Sequence, residues 1–190
     1  MNLSDLSAAI LVGGASRRMG QDKGLLEIAG RPLIARIAAN LVPHFHEVFL
    51  VTDNPEPYCF LGLPTVPDMV PGMGPLMGIA SALRAAACDS LFVIACDIPD
   101  LDWPLMELLL AGPLEADCIV PILKDGMREP LFAMYRKSAM PAIERLLADG
   151  RRQVQALFPL VKTHYVPIMD ARGIPNLNTP EDLQRYIAGL

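Results

Sequence analysis

The chain has 190 residues, of which 52% are hydrophobic and 19% charged, and its formal net charge is −5. That composition is too apolar for a disordered chain and supplies one packed core, so a single domain over residues 1–190 is expected. The acidic balance argues against a broad nucleic-acid surface, and no apolar run approaches the ~20 residues of a membrane helix. The opening Met1-Asn2-Leu3-Ser4-Asp5 lacks the basic start of a secretion signal, and Cys59, Cys88, Cys96 and Cys118 form no Cys-x-x-Cys pair. A cytoplasmic protein with reduced, mostly buried thiols is expected, without a disulfide framework or a zinc site.

Ala8 to Val12 is an apolar run ending at Gly13-Gly14, the pattern of a strand buried on both faces of a parallel sheet. A glycine-containing loop follows to Lys23. Arg31 to Leu41 reads as a helix, with Leu33, Ile34, Ile37, Ala38 and Leu41 on one face and Pro32 in its first turn. Val48 to Val51 is a second strand. Gly74-Pro75 leads a helix over Leu76 to Ala87, and Leu91 to Ala95 is a third strand ending in Cys96-Asp97. Asp102 caps a helix running to about Leu110, with Pro104 in its first turn. Cys118 to Ile122 and Leu131 to Tyr135 read as strands, Ser138 to Leu147 and Arg151 to Phe158 as helices, and Thr163 to Ile168 as a late strand. Thr179-Pro180-Glu181-Asp182 is a helix start with a capping threonine and acids in the first turn. Strands alternating with helices predict an α/β fold with a mainly parallel sheet.

Ligands of such sheets bind at the carboxyl ends of strands, which singles out Gly13 onward, Thr52 onward and Asp97. Adjacent glycines after a buried strand let backbone approach a ligand, and Arg17 and Lys23 add positive charge suited to a polyphosphate. The loop is neither a Walker nor a Rossmann glycine motif. A solvated strand-to-helix turn is the alternative reading. Asp97 suits a Mg²⁺ ligand that works with substrate phosphates, or a turn residue ahead of Pro99. Asp68, before the Pro71-Gly72-Met73-Gly74-Pro75 loop, suits ribose hydroxyls or metal, or an ordinary turn. Asp100 and Asp102 read as turn and cap residues, and His44, His46 and His164 as structural. Arg151-Arg152 reads as a solvated pair. Asn176 and Asn178 offer amides just before the last helix, as turn formers or as donors to a heterocycle or phosphate.

Together these segments resemble a known family. Leu11-Val12-Gly13-Gly14, Arg17-Arg18-Met19-Gly20 and Gln21-Asp22-Lys23 are similar to the L-A-G-G-x-x-x-R-M-G-x-D-K signature of molybdenum cofactor guanylyltransferases, in the nucleotidyltransferase superfamily. Gly30-Arg31-Pro32-Leu33, Gly74 to Ile79, Cys96-Asp97-Ile98-Pro99 and Asn176 to Leu183 resemble the family's G-x-P-L, G-P-L-x-G-I, C-D-x-P and N-x-N-T-P-E-D-L blocks, in order. The resemblance implies a three-layer, Rossmann-type fold like that of nucleotide-diphospho-sugar transferases. It implies transfer of GMP from GTP to the terminal phosphate of molybdopterin or molybdenum cofactor, with Mg²⁺. It further implies that Leu11, Val12, Gly13 and Gly14 contact guanine, that Arg17 and Lys23 hold phosphates, and that Asp68 lies beside the nucleotide. By the same resemblance Asp97 binds Mg²⁺, and Asn176 and Asn178 face the pterin. Glu129 is a looser acceptor-side candidate. Partners would be GTP, the pterin, and proteins of molybdenum insertion and molybdoenzyme maturation.

Three departures stand out. Val12 replaces the usual alanine. The family's asparagine at the end of the second strand falls in the ambiguous register of Val51-Thr52-Asp53-Asn54. A CTP-using sister branch typically has alanine where this chain has Gly14, which favours GTP. The alternatives are a CTP-dependent or sugar-phosphate nucleotidyltransferase, and a non-catalytic nucleotide-binding protein.

Overall fold

The structure is a computed structural model that describes residues 1–13, 22–168 and 174–188. Its centre is a seven-stranded sheet. In chain order the elements are β1 (Leu6–Leu11), the short strands β2 (Glu27–Ile28) and β3 (Arg31–Pro32), and α1 (Leu33–Leu41). Then come β4 (Glu47–Val51), β5 (Thr65–Val66), α2 (Pro75–Ala85), β6 (Ser90–Ala95) and α3 (Trp103–Leu110). The chain continues with β7 (Cys118–Ile122), β8 (Phe132–Arg136), α4 (Met140–Ala148), β9 (Thr163–Pro167) and α5 (Pro180–Ala188).

The sheet order is β5-β4-β1-β6-β8-β7-β9. Strands β5, β4, β1 and β6 run parallel, β8 is antiparallel to both neighbours, and β9 is parallel to β7. The two-residue hairpin β2–β3 stands apart. The central strands alternate between two cores. Leu6, Ala8 and Ile10 of β1 and Phe92 and Ile94 of β6 face one cluster, with Ile34 and Ile37 of α1 and Leu105 and Leu109 of α3. Ala9, Leu91 and Val93 face the other, with Leu76, Ile79 and Leu83 of α2 and Ile143 and Leu146 of α4. Helices thus cover both faces, giving the expected three layers. A fully buried Phe, Ile or Leu contributes about 1.5–3 kcal/mol, so β1 and β6 anchor the molecule.

Most elements fall where the sequence places them, and three expectations need correction. The helix expected from Arg31 begins at Leu33: Arg31 precedes a proline, is pushed toward extended backbone, and pairs with Ile28. Pro32, with ψ 139°, is therefore the N-cap and lies outside the first turn. The helix expected over Arg151 to Phe158 is two 3-10 turns, Val154–Ala156 and Phe158–Leu160. Pro159 has no N–H to continue an α-helical ladder through that segment. The thiols are free but not mostly buried: Cys96 and Cys118 are, Cys88 is half-buried and Cys59 exposed. No helix among the described residues is long and apolar enough to cross a membrane.

Candidate active site

Parallel pairing fixes the site. Leu11 of β1 is level with Val51 of β4 and Ala95 of β6, so the three carboxyl ends open at one edge. The ladder continues past the strands: the Val12 N–H donates to Val51 O at 2.9 Å and the Cys96 N–H to Leu11 O at 3.1 Å. Gly13 has φ +147°, a backbone that side chains strain, and a Cβ built there would meet nothing within 4 Å among the described residues. The chain therefore leaves β1 through a backbone conformation that only glycine adopts without strain.

Asp97 follows β6 at this edge, and its carbonyl accepts from the Leu177 N–H at 2.8 Å. Lys23 reaches it from the first loop. Its Nζ donates to Asp97 Oδ2 at 3.1 Å and to Asn178 Oδ1 at 2.6 Å, and the residue is only 8% exposed. A buried ammonium on one carboxylate and one amide is a fixed positive charge at a strand-end crevice. Asp22, just before it, accepts from the Gly24 N–H at 3.0 Å and from the Tyr58 hydroxyl. Beneath them, burial and the charges of Asp97 and Asp22 push the Cys96 thiol up to about 12, which leaves it an inert neutral wall.

Asp68 lies at the end of β5, next to β4. Its N–H donates to Asp53 Oδ1 at 2.9 Å. Its own Oδ1 is buried, has no hydrogen-bond partner among the described residues, and faces Gly78 of α2. Burial first, and Asp53 second, raise this carboxyl above the usual range. An orphaned acceptor of this kind fits a ligand hydroxyl. The register left open by the sequence resolves here: Val51 ends β4, Thr52 Oγ1 takes the Asn54 N–H, and Asp53 is committed to the Asp68 backbone.

On the other flank, Asn176 donates to Ile174 O at 3.3 Å, and its amide lies beside the Glu129 carboxylate. Burial, partly offset by the neighbouring Asn176 amide, raises the Glu129 carboxyl, and Asp97 adds to the rise. Asn178 thus sits with the lysine and Asn176 with Glu129. The stretch is anchored by α5. Thr179 Oγ1 accepts from the Asp182 N–H while Asp182 Oδ2 accepts from the N–H groups of Asn178 and Thr179, a reciprocal cap. Tyr186 then donates to Asp100 at 2.7 Å, with Arg36 beside both. Asp100 is thus a docking point for α5, and Asp102 is the cap of α3, accepting from the Leu105 N–H at 2.9 Å.

Of the residues singled out by sequence, Leu11, Val12, Gly13, Lys23, Asp68, Asp97, Asn176 and Asn178 all fall along this edge. Gly14 and Arg17 lie outside the described residues. Sequence reasoning missed Tyr58 and the Arg36–Asp100–Tyr186 cluster, which only the tertiary fold assembles.

Among the described residues no group of three or more His, Cys, Asp or Glu side chains could hold a metal alone. Mg²⁺ asks for less: one or two carboxylates, completed by water and substrate phosphates. Asp97, a hard donor with 22% of its side chain exposed at the crevice, fits that demand.

The profile of the MobA-like NTP transferase domain matches residues 8–164. The chain belongs to this family. It is 36% identical to a probable molybdenum cofactor guanylyltransferase from Carboxydothermus hydrogenoformans, over 97% of this chain and 96% of that protein. It is 38% identical to one from Pelotomaculum thermopropionicum, over 93% and 89%. The crystal structure of molybdopterin-guanine dinucleotide biosynthesis protein A from Archaeoglobus fulgidus superposes with a TM-score of 0.79 at 28% identity, covering 96% of this chain and 97% of that one. In this member of the MobA-like family, Lys23 and Asp97 pair where β1 and β6 end.

Proposed function

We propose that the chain transfers GMP from GTP to the terminal phosphate of molybdopterin, or of its molybdenum-loaded form, and releases pyrophosphate. The observation that carries this reading is Lys23, a buried ammonium held on Asp97 and Asn178 where β1 and β6 open, in a chain of this family. An oxygen of the acceptor phosphate attacks the α-phosphorus of GTP. The bond from that phosphorus to the α–β bridging oxygen breaks, and pyrophosphate leaves with the electron pair. The attacking oxygen is already anionic, so no strong base is required. The work of the protein is alignment and neutralisation of charge.

In this reading Leu11, Val12, Gly13 and Gly14 line the base through their backbone, and the orphaned Oδ1 of Asp68 accepts a ribose hydroxyl. Lys23, with Arg17 from the same loop, binds phosphates and draws them toward Asp97. Asp97 holds Mg²⁺, which when bound supplies Lewis-acid neutralisation of the triphosphate. Asn176 and Asn178 bound the pterin side, and Glu129 orients Asn176. The whole chain acts as one nucleotidyltransferase domain. Its four unpaired thiols suit the reducing cytoplasm. Proteins that insert molybdenum or mature molybdoenzymes are the expected partners.

The test is a calorimetric panel of GTP, CTP, ATP and UTP, with and without Mg²⁺. Selective GTP binding strengthened by Mg²⁺ is expected. Selectivity for CTP would move the chain to the cytidylyltransferase branch, and binding of none would overturn the nucleotide assignment.

A further inference from the structure

Asp22, which precedes the phosphate lysine, is tied through both of its oxygens. It is the N-cap of the 3-10 turn Lys23–Leu25, where Oδ1 accepts from the Gly24 N–H. Its Oδ2 accepts from the Tyr58 hydroxyl. Tyr58 is 3% exposed and belongs to the 3-10 segment Glu56–Leu61, which follows the carboxyl end of β4. Its N–H donates to Pro55 O at 2.9 Å, and its ring lies against Gly24, where a Cβ would meet Cε1 at 3.6 Å. A rigid aromatic side chain from one loop therefore reaches the residue that aims the lysine of another. Lysine has a long, flexible stem, and its charge helps a phosphate only where the stem is held.

We propose that Tyr58 is a positioning residue for Lys23: its hydroxyl fixes the Asp22 carboxylate, which fixes the turn that holds the lysine on Asp97 and Asn178. The inference rests on the guanylyl-transfer reading, in which Lys23 contacts phosphate. The same loop carries Asp53, whose carboxylate holds the Asp68 backbone. One segment, 53–58, thus sets both the nucleoside-side carboxylate and the phosphate-side lysine. Burial and the Asp22 carboxylate push the Tyr58 hydroxyl far above its ordinary range, so it stays a donor at any working pH.

Tyr58→Phe tests the proposal, because it keeps the ring and removes only the hydroxyl. The first readout needs no nucleotide: modification of each lysine by acetic anhydride, followed by mass spectrometry. Lys23 should react several-fold faster in the variant, while the exposed Lys124 and Lys162 are unchanged. Asp22→Ala should give the same acceleration, and combining the two should add little. In the transfer assay Tyr58→Phe should lower kcat by about tenfold with a smaller change in KM for GTP. On a Lys23→Met background it should cause no further loss. A folded Tyr58→Phe protein with unchanged Lys23 reactivity would overturn the proposal, as would a loss of kcat that persists in the Lys23→Met background. Should Tyr58→Phe fail to fold, Asp22→Ala decides by the same readout: faster Lys23 modification supports the proposal and an unchanged rate overturns it. Faster Lys23 modification in a protein that does not turn over GTP would uphold the positioning role and refute the guanylyl-transfer reading instead.

Discussion

Replacing Lys23 by methionine keeps the stem and removes the charge. The ammonium is 3.1 Å from Asp97 Oδ2 and only 8% exposed, so it acts through a medium less polar than water. At an effective dielectric of about 20, unit charges at that distance interact by roughly 5 kcal/mol, against about 1 kcal/mol in water. Part of this is taken up by Asp97 in the ground state and part offsets desolvation, which leaves about 3 kcal/mol for the developing phosphate charge, in line with removal of one fixed donor. Lys23→Met should therefore lower kcat/KM by roughly a hundredfold. Stability should change far less, because Asp97 already has 22% of its side chain in water with the lysine in place. The assay is steady-state release of pyrophosphate with GTP and molybdopterin, beside thermal unfolding of the same preparations. A folded variant that keeps kcat/KM within about threefold of the parent would rule out a substantial charge role for the lysine, since it would leave less than about 0.7 kcal/mol for it.

Asp68→Asn should raise the melting temperature at pH 7 while weakening GTP binding. The folded state holds the Asp68 proton more tightly than the unfolded chain does, so its effect turns unfavourable as pH rises from the ordinary 3.8 through the raised value. The stabilisation by asparagine should accordingly vanish when the melts are repeated below that window. Thr179→Ala removes the hydroxyl that caps α5 and should cost about 1 kcal/mol of stability in urea titration. Because the same cap carries Asn178 to Lys23, its kcat/KM should fall as well. Gly112→Ala would place a Cβ 2.8 Å from Ile119 Cδ1 and 3.1 Å from Leu109 O. Overpacking there should destabilise by about 1–3 kcal/mol with kcat intact, read as a lower urea midpoint at unchanged slope.

Local sequence encodes some elements and leaves others to the fold. The strands β1, β4 and β6 are legible because a strand buried on both faces needs an unbroken apolar run, and Asp102 and Thr179 are legible because caps follow from side-chain chemistry alone. Two-residue ladders such as β2–β3 and β4–β5 carry no such run and exist only through their neighbours. The site follows the same division. Lys23, Asp68 and Asp97 sit at strand ends and in loops that mark themselves by charge, and the parallel order of the sheet brings them together. Tyr58 carries no local signal of its role, being one aromatic in the stretch Pro55-Glu56-Pro57-Tyr58. Its partner Asp22 is 36 residues away, and only the fold makes the bond. Asp100 likewise reads as a turn residue because the tyrosine that docks on it lies 86 residues downstream.

Guanylyl transfer is measured most directly by following the transferred group. GTP labelled at the α-phosphate is incubated with the purified protein, molybdopterin and Mg²⁺, and the label is followed by chromatography, with Asp97→Asn as the control. Label should move into the guanine dinucleotide in step with pyrophosphate release, and Asp97→Asn should abolish both while remaining folded. Label that stays in GTP when the acceptor is present, or transfer undiminished in Asp97→Asn, would contradict the proposed reaction and the metal-binding role of Asp97.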